Sequence, residues 1–293
     1  MKQIVIQAGV DDASPRTTEV SLYPNVDAGY TMVNYAGDRL ITRRSQCLGI
    51  KQAGLMQPNL QGVAVYGDLL VRMADGNTHY LYKISANGSL SAIGNFSLSA
   101  GHCNSLQFAP SLGADQSYPY LYSAYLQKKC SVLSISSSYE VSLVQTITIG
   151  NDVAGVPSDC NLQIGDDGYI WCAYMTDQSK CAFLKFRRVA VSEGNVTLGA
   201  ADVLDRWESV EIYPYANYVH QGMKIYNGQI WWSHGMTGGT QERGIVVYDT
   251  RTHAFVTILD LTAVVPYELE DIEFWNNSVL LVTYAAQYYR MEF

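Results

Sequence analysis

The stretch His220-Gln-Gly-Met-Lys-Ile-Tyr-Asn-Gly-Gln-Ile-Trp-Trp-Ser-His234 limits the fold more than any other. Met223 and Ile225 alternate with Lys224, so one row of side chains faces a core. Asn227-Gly228 then separates this run from a second apolar run. An Asn-Gly pair between two such runs predicts a tight hairpin, because both central residues must accept positive φ. Versions of the unit begin at Leu60-Gln61-Gly62, Cys103-Asn104-Ser105, Cys160-Asn161, His220-Gln221-Gly222 and Leu269-Glu270-Asp271. In four of them a turn follows almost at once, at Gly67-Asp68, Asp166-Asp167-Gly168, Asn227-Gly228 and Asn276-Asn277. The second has an insertion from Pro110 to Pro119 instead.

The column Gln61, Asn104, Cys160, Gln221, Glu270 recurs after gaps of 43, 56, 61 and 49 residues. Each interval has room for about four strands, the size of a propeller blade. The predicted fold is therefore all-β, a five-bladed β-propeller over residues 51–293 preceded by an N-terminal extension over residues 1–50. After Glu270 only two further strands fit, so the last blade lacks its outermost strand. An open sheet edge invites mispairing. A strand from the N-terminal region is expected to close the ring, with Arg39–Arg44 or Gln46–Ile50 as candidates.

Gln61-Gly62, Gln221-Gly222 and Glu268-Leu-Glu270-Asp271-Ile resemble the inner-strand starts of five-bladed propellers of the glutaminyl cyclotransferase and senescence-marker-protein-like groups. The likeness covers most of residues 58–293 in pattern and two or three residues per blade in identity. It implies the fold. No catalytic motif of those groups matches here, so no catalytic residue is carried over.

Composition narrows the function classes. Only 16% of residues are charged and the net charge is −8. No Lys/Arg cluster exceeds a pair, so nucleic acid is an unsuitable partner. No run of 18 apolar residues is long enough to span a membrane. The N-terminus has no long apolar segment of the signal-peptide kind, leaving the compartment open: virion, or extracellular after processing. The six cysteines lack metal-ligand spacing, and buried free thiols are expected, with a Cys103–Cys160 disulfide as the alternative.

In a propeller the inner strands start at one mouth of the central channel, where side chains from every blade converge. Candidate ligand-binding residues there are Gln61, His102, Asn104, Asp159, His220, Gln221, Glu270 and Asp271. Ser158 starts the same strand as Asp159. The bland reading is that these groups cap backbone and bind water. His102, His220, Glu268 and Glu270 are the catalytic candidates, since a His beside a carboxylate can act as general base and acid. Asp159, Glu268 and Glu270 are candidates for a structural cation on the axis; no other cofactor is implied. Gly222 is expected to let a backbone or ligand approach His220 closely. His79 and His253 are placed in exposed turns. Tyr118, Tyr120, Tyr122, Tyr125, Tyr213, Tyr215, Tyr218, Tyr288 and Tyr289 are a candidate stacking surface, the bland alternative being packing between blades.

No nucleophile elbow, HExxH or phosphate-binding loop is present. The favoured expectation is a non-catalytic binding or assembly module, such as a virion or tail component recognising a glycan or a protein subunit. The alternative is a hydrolase, lyase or cyclotransferase with an axial His/carboxylate site.

Overall fold

The computed structural model describes residues 60–293, apart from 100–101, 111–116, 126, 178–179, 211–219, 236–242, 263–264, 277, 284–286 and 293. Of the first 59 residues it describes six strands by their backbone. Among the described residues there is no α-helix. Five sheets form a five-bladed propeller, and each is built outwards from an inner strand: Leu60–Tyr66, Ser105–Phe108, Asn161–Ile164, His220–Tyr226 and Leu269–Trp275. Neighbouring strands within each blade pair antiparallel. Blade two gains Val196–Leu198 as a parallel fifth strand, and blade four gains Ser45–Gln46 likewise.

The hairpin turns have the predicted backbone. Asn227 and Gly228 have φ of 51° and 72°, and Gly67 and Gly168 have φ of 61° and 80°. A left-handed pair in a two-residue loop matches the right-handed twist of its flanking strands.

Five apolar clusters fill the five gaps between neighbouring blades. Trp275, Leu280, Val282 and Tyr288 of blade five meet Val63, Leu70 and Tyr82 of blade one. Ala64, Val71 and Met73 meet Leu106, Leu121 and Leu133 across the next gap. Tyr122, Val132 and Ile147 then meet Leu162, Cys172 and Leu184. Trp171 and Phe183 meet Met223, Trp232 and Tyr248, and Trp231, Ile245 and Val247 meet Ile272, Val279 and Leu281. Alternation along each strand supplies both gaps: Trp231 and Trp232 enter different clusters. Each large side chain so buried contributes about 1.5–3 kcal/mol.

The ring closes between its first and last strands, as expected, but with a different segment. Ile50–Leu55 pairs antiparallel with Gln287–Glu292 of blade five, Lys51 opposite Arg290. Arg39–Ile41 pairs instead with Asn34–Ala36, and of Gln46–Ile50 only Ile50 belongs to the closing strand, opposite Met291, while Gln46 belongs to the strand beside blade four. Alternation alone does not distinguish three short neighbouring strands competing for one edge.

Packing decides between the remaining alternatives. Tyr120, Tyr122, Tyr288 and Tyr289 are buried between blades, so they form no stacking surface. Tyr213, Tyr215 and Tyr218 lie outside the described residues. Among the described residues the exposed tyrosines are Tyr66 and Tyr226, at the far ends of their inner strands. His79 is fully buried in the strand Thr78–Ile84; its Nδ1 accepts from Ala74 N (3.2 Å) and its Nε2 lies 2.8 Å from Leu98 O. Burial lowers its pKa, so it sits there as a neutral ring. His253 is in a turn and partly exposed, bonded to Asp205 Oδ2 at 2.8 Å. Cys103, Cys130, Cys160, Cys172 and Cys181 are free and buried, which removes the Cys103–Cys160 alternative. Cys47 lies outside the described residues.

Candidate functional site

The axis is closed. Ser105 of blade two exchanges two hydrogen bonds with Met223 of blade four, accepting from its N (2.7 Å) and donating to its O (3.2 Å). Gln107 Nε2 donates to Ile225 O at 3.3 Å. These blades are not neighbours in the ring, so the bonds cross the centre. Gly222 makes room for this. A Cβ there would lie 2.6 Å from Asn104 O and collide with Asp271 Oδ1. The close approach foreseen at Gly222 is therefore made by the protein's own strands.

Lys224 is the hub of the closed axis. Its side chain is 1% exposed. The ammonium donates to Val63 O of blade one (2.8 Å) and to Leu106 O of blade two, and lies 3.3 Å from Asp271 Oδ2 and 3.5 Å from Glu273 Oε2 of blade five. The carboxylates reach onward: Asp271 Oδ2 accepts from Val63 N and Glu273 Oε2 from Val65 N. One ammonium neutralises one carboxylate, and a second buried negative charge is costly. Burial accordingly pushes Asp271 up to about 7 despite the pull of Lys224, and raises Glu273 in the same direction.

Above this plug lies the mouth at which the inner strands begin. In blades one and five a β-bulge occurs at the same point: Leu60 opposes Ala74 while Gly62 opposes Met73, and Leu269 opposes Thr283 while Asp271 opposes Val282. The extra residues are Gln61 and Glu270. A third bulge lies within Gln221-Gly222 of blade four. A bulge re-aims the side chain it carries. Asn104 Nδ2 donates to Gln221 Oε1 across the mouth at 3.0 Å, and Gln221 Nε2 donates to Glu268 Oε1 at 2.6 Å. Burial, with Glu268, Asp271 and Asp75 nearby, pushes Glu270 up to about 9, so it carries a proton at neutral pH. Gln61 is fully buried and Glu270 nearly so. Among the described residues, both polar atoms of the Gln61 amide, Asn104 Oδ1 and Glu270 Oε2 make no hydrogen bond.

A shallow depression adjoins this level, lined by His102, Asn104, Ala124, Tyr125, Asp159, Cys160 and Asn161. His102 Nδ1 lies 3.9 Å from Asp75 Oδ1. His220 does not point into a shared centre with His102; it stacks on Trp232 at 3.8 Å and meets His234 edge-on at 6.4 Å. Asp159 is exposed in the depression, and among the described residues no group of three or more His, Cys, Asp or Glu is placed to hold a metal ion.

The structure therefore brings Gln61, Asn104, Gln221, Glu268 and Glu270 to one level, puts His102 and Asp159 in the adjoining depression, and sinks Asp271 into the plug. The sequence reading missed the role of Lys224. A lysine in an inner strand, between residues that face the core, was the signal that could have found it, because such a lysine must meet a carboxylate.

No family model matches the chain, and no curated protein matches it. Solved structures similar to it include the WD40 β-propeller domain of Doa1 (10% identity, 83% of this chain, 97% of that chain, TM-score 0.45). Saccharomyces cerevisiae Sqt1 is similar at 12% identity (77% of this chain, 56% of that chain, TM-score 0.40). Virginiamycin B lyase from Staphylococcus aureus is similar at 11% identity (83% of this chain, 99% of that chain, TM-score 0.41). The five-bladed architecture rests on the chain's own strand order, not on these likenesses. No helix among the described residues is long and apolar enough to cross a membrane.

Proposed function

We propose that this propeller is a non-catalytic recognition module that binds a glycan at its polar mouth, as a component of a virion tail or comparable assembly. The observation that carries this reading is the depression at the mouth, where Asn104, Asp159 and Asn161 put amide and carboxyl groups beside an aromatic ring above a closed axis. Amide and carboxyl groups that both give and accept hydrogen bonds suit sugar hydroxyls. Tyr125 adds an aromatic wall to the neighbouring depression beside Asp159 and Asn161, and aromatic faces suit sugar rings. Catalysis is less well served, because His102 and His220 face different surroundings: His102 lies beside Asp75, while His220 stacks on Trp232. The test is a glycan array probed with the purified chain and with Asn104→Ala and Asp159→Ala. Binding of one glycan class, weakened in both variants, supports the reading. Absence of binding to any glycan rejects it.

One observation favours a second reading. A carboxylic acid that keeps its proton at neutral pH, as Glu270 does, can serve as a general acid in a lyase or hydrolase. Turnover of a member of a substrate panel, lost in Glu270→Gln, would establish that reading instead.

A further inference from the structure

We propose that the outer strand of blade one, Leu90–Ser97, is an association edge through which two copies of this chain pair antiparallel about a two-fold axis. The pairing is independent of what the mouth binds.

Each blade ends at the perimeter of the ring in one strand, and an unpaired strand edge is a template for another chain. Four of the five described perimeter strands carry a safeguard. Blades two and four end in strands of three and two residues, Val196–Leu198 and Ser45–Gln46. The edge of blade three, Val203–Val210, holds Asp205, Arg206 and Glu208, and that of blade five, Ile50–Leu55, holds Lys51. Short edges and charged edges both discourage pairing. Blade one differs. Its edge runs for eight residues, Leu-Ser-Ala-Ile-Gly-Asn-Phe-Ser, with no charge and no proline. Among the described residues it pairs only with Thr78–Ile84, on its inner side.

Gly94 points the same way. A bulge falls between Ala92 and Gly94, and Gly94–Ser97 then continues in unbroken register. The bulge type that requires glycine is left-handed, whereas Gly94 is not among the residues of positive φ. A Cβ at Gly94 would meet nothing within 4 Å, so crowding inside the chain does not require glycine either. A glycine within a strand suits the close approach of another backbone. The strand is also fixed at both ends. Tyr288 Oη donates to Gly88 O at 2.8 Å just before it, and just after it Leu98 N donates to Asn77 O at 3.1 Å while His79 Nε2 lies 2.8 Å from Leu98 O. An edge held this way loses little further freedom on pairing.

The residues on the strand select a second copy as its occupant. Ser91, Asn95 and Ser97 are exposed, while Ile93 and Phe96 are half-buried and pack towards blade two. A two-fold axis perpendicular to the sheet continues each face across the junction, so hydroxyl and amide groups meet their own kind and apolar side chains meet theirs. In such a contact every residue is opposed by one from the same strand, and any charge there would face its like. This strand has none, as self-pairing requires, and it offers nothing to attract a strand of opposite charge.

The experiment is sedimentation velocity of the full chain from about 1 to about 100 μM, with amide hydrogen exchange at both ends of the range. The expected result is a monomer–dimer equilibrium within the range, with exchange in Leu90–Ser97 slowed in the dimer. Asn95→Lys, at an exposed position, brings two like charges to the junction and weakens association about tenfold without lowering the melting temperature. Asn95→Gln keeps the dimer. Leu204→Lys, on the edge of blade three at a side chain 56% exposed, leaves it unchanged. Should Asn95→Lys disturb folding, Ser91→Lys, exposed near the other end of the strand, takes its place with the same outcomes. A chain that stays monomeric throughout, a dimer that the lysine leaves intact, or a dimer that Leu204→Lys weakens equally overturns the proposal. A dimer that binds no glycan leaves this edge standing and rejects only the reading of the mouth.

Discussion

Replacing Lys224 by Met removes the charge from the centre of the ring while keeping a side chain of similar length. The loss can be worked from its contacts. Val63 O and Leu106 O each lose their ammonium donor, and Asp271 and Glu273 lose their counter-charge at a site where Lys224 is 1% and Asp271 0% exposed. Breaking a buried ion pair from one side costs about 3–5 kcal/mol. For a domain of this size that lowers the melting temperature by roughly 6–20 °C. The loss depends on pH, with a determinate sign. Asp271 already holds its proton up to about 7 in the folded chain, against an ordinary value of 3.8. Without Lys224 both carboxyls hold theirs to higher pH. The folded variant therefore binds more protons than the unfolded chain above about pH 4, and stability falls by up to about 1.4 kcal/mol per pH unit for each group as pH rises. Urea unfolding followed by tryptophan fluorescence at about pH 5 and about pH 8 measures both effects, the larger loss being at the higher pH. A loss below about 1 kcal/mol at pH 8, or equal losses at the two values, would refute the assignment of Lys224 as the tie between blades one, two, four and five.

Three further outcomes are expected. Glu270→Gln should match the wild type near its ordinary ionisation at 4.5 and become the more stable protein as pH rises towards 9, because only the wild type must carry a proton that its unfolded chain has lost; thermal melts across this range check it, and a constant difference would contradict it. Lys51→Cys with Arg290→Cys, at directly opposed positions of the closing pair, should form a disulfide under mild oxidation and raise the melting temperature; peptide mapping by mass spectrometry that finds both new cysteines unpaired would place the register elsewhere. Gly222→Ala forces a methyl against Asp271 Oδ1 and Asn104 O, and should cost about 1–3 kcal/mol in chemical denaturation.

The repeat was legible because its signals are local. Asn227-Gly228 and the column from Gln61 to Glu270 follow from turn chemistry and strand alternation, and blade count follows from their spacing. What escaped depends on contacts far apart in sequence. Ser105 meets Met223 across the axis, and nothing near either residue marks this. His79 looked like a turn residue; it lies buried in a strand, bonded to Leu98 just past the end of the next strand. The tyrosines could be sorted only by knowing which gap between blades each one faces. At the mouth the residue types and level were readable, whereas the bulges that aim Gln61 and Glu270 appear only in the pairing register.

The most direct measurement is a crystal structure of the chain with an oligosaccharide that binds it. The account predicts density for the sugar in the depression at the mouth, beside Asn104, Tyr125 and Asp159, with the Lys224 plug intact beneath. Sugar seated on an outer blade surface, or a ligand threading an opened axis past Lys224, would contradict it.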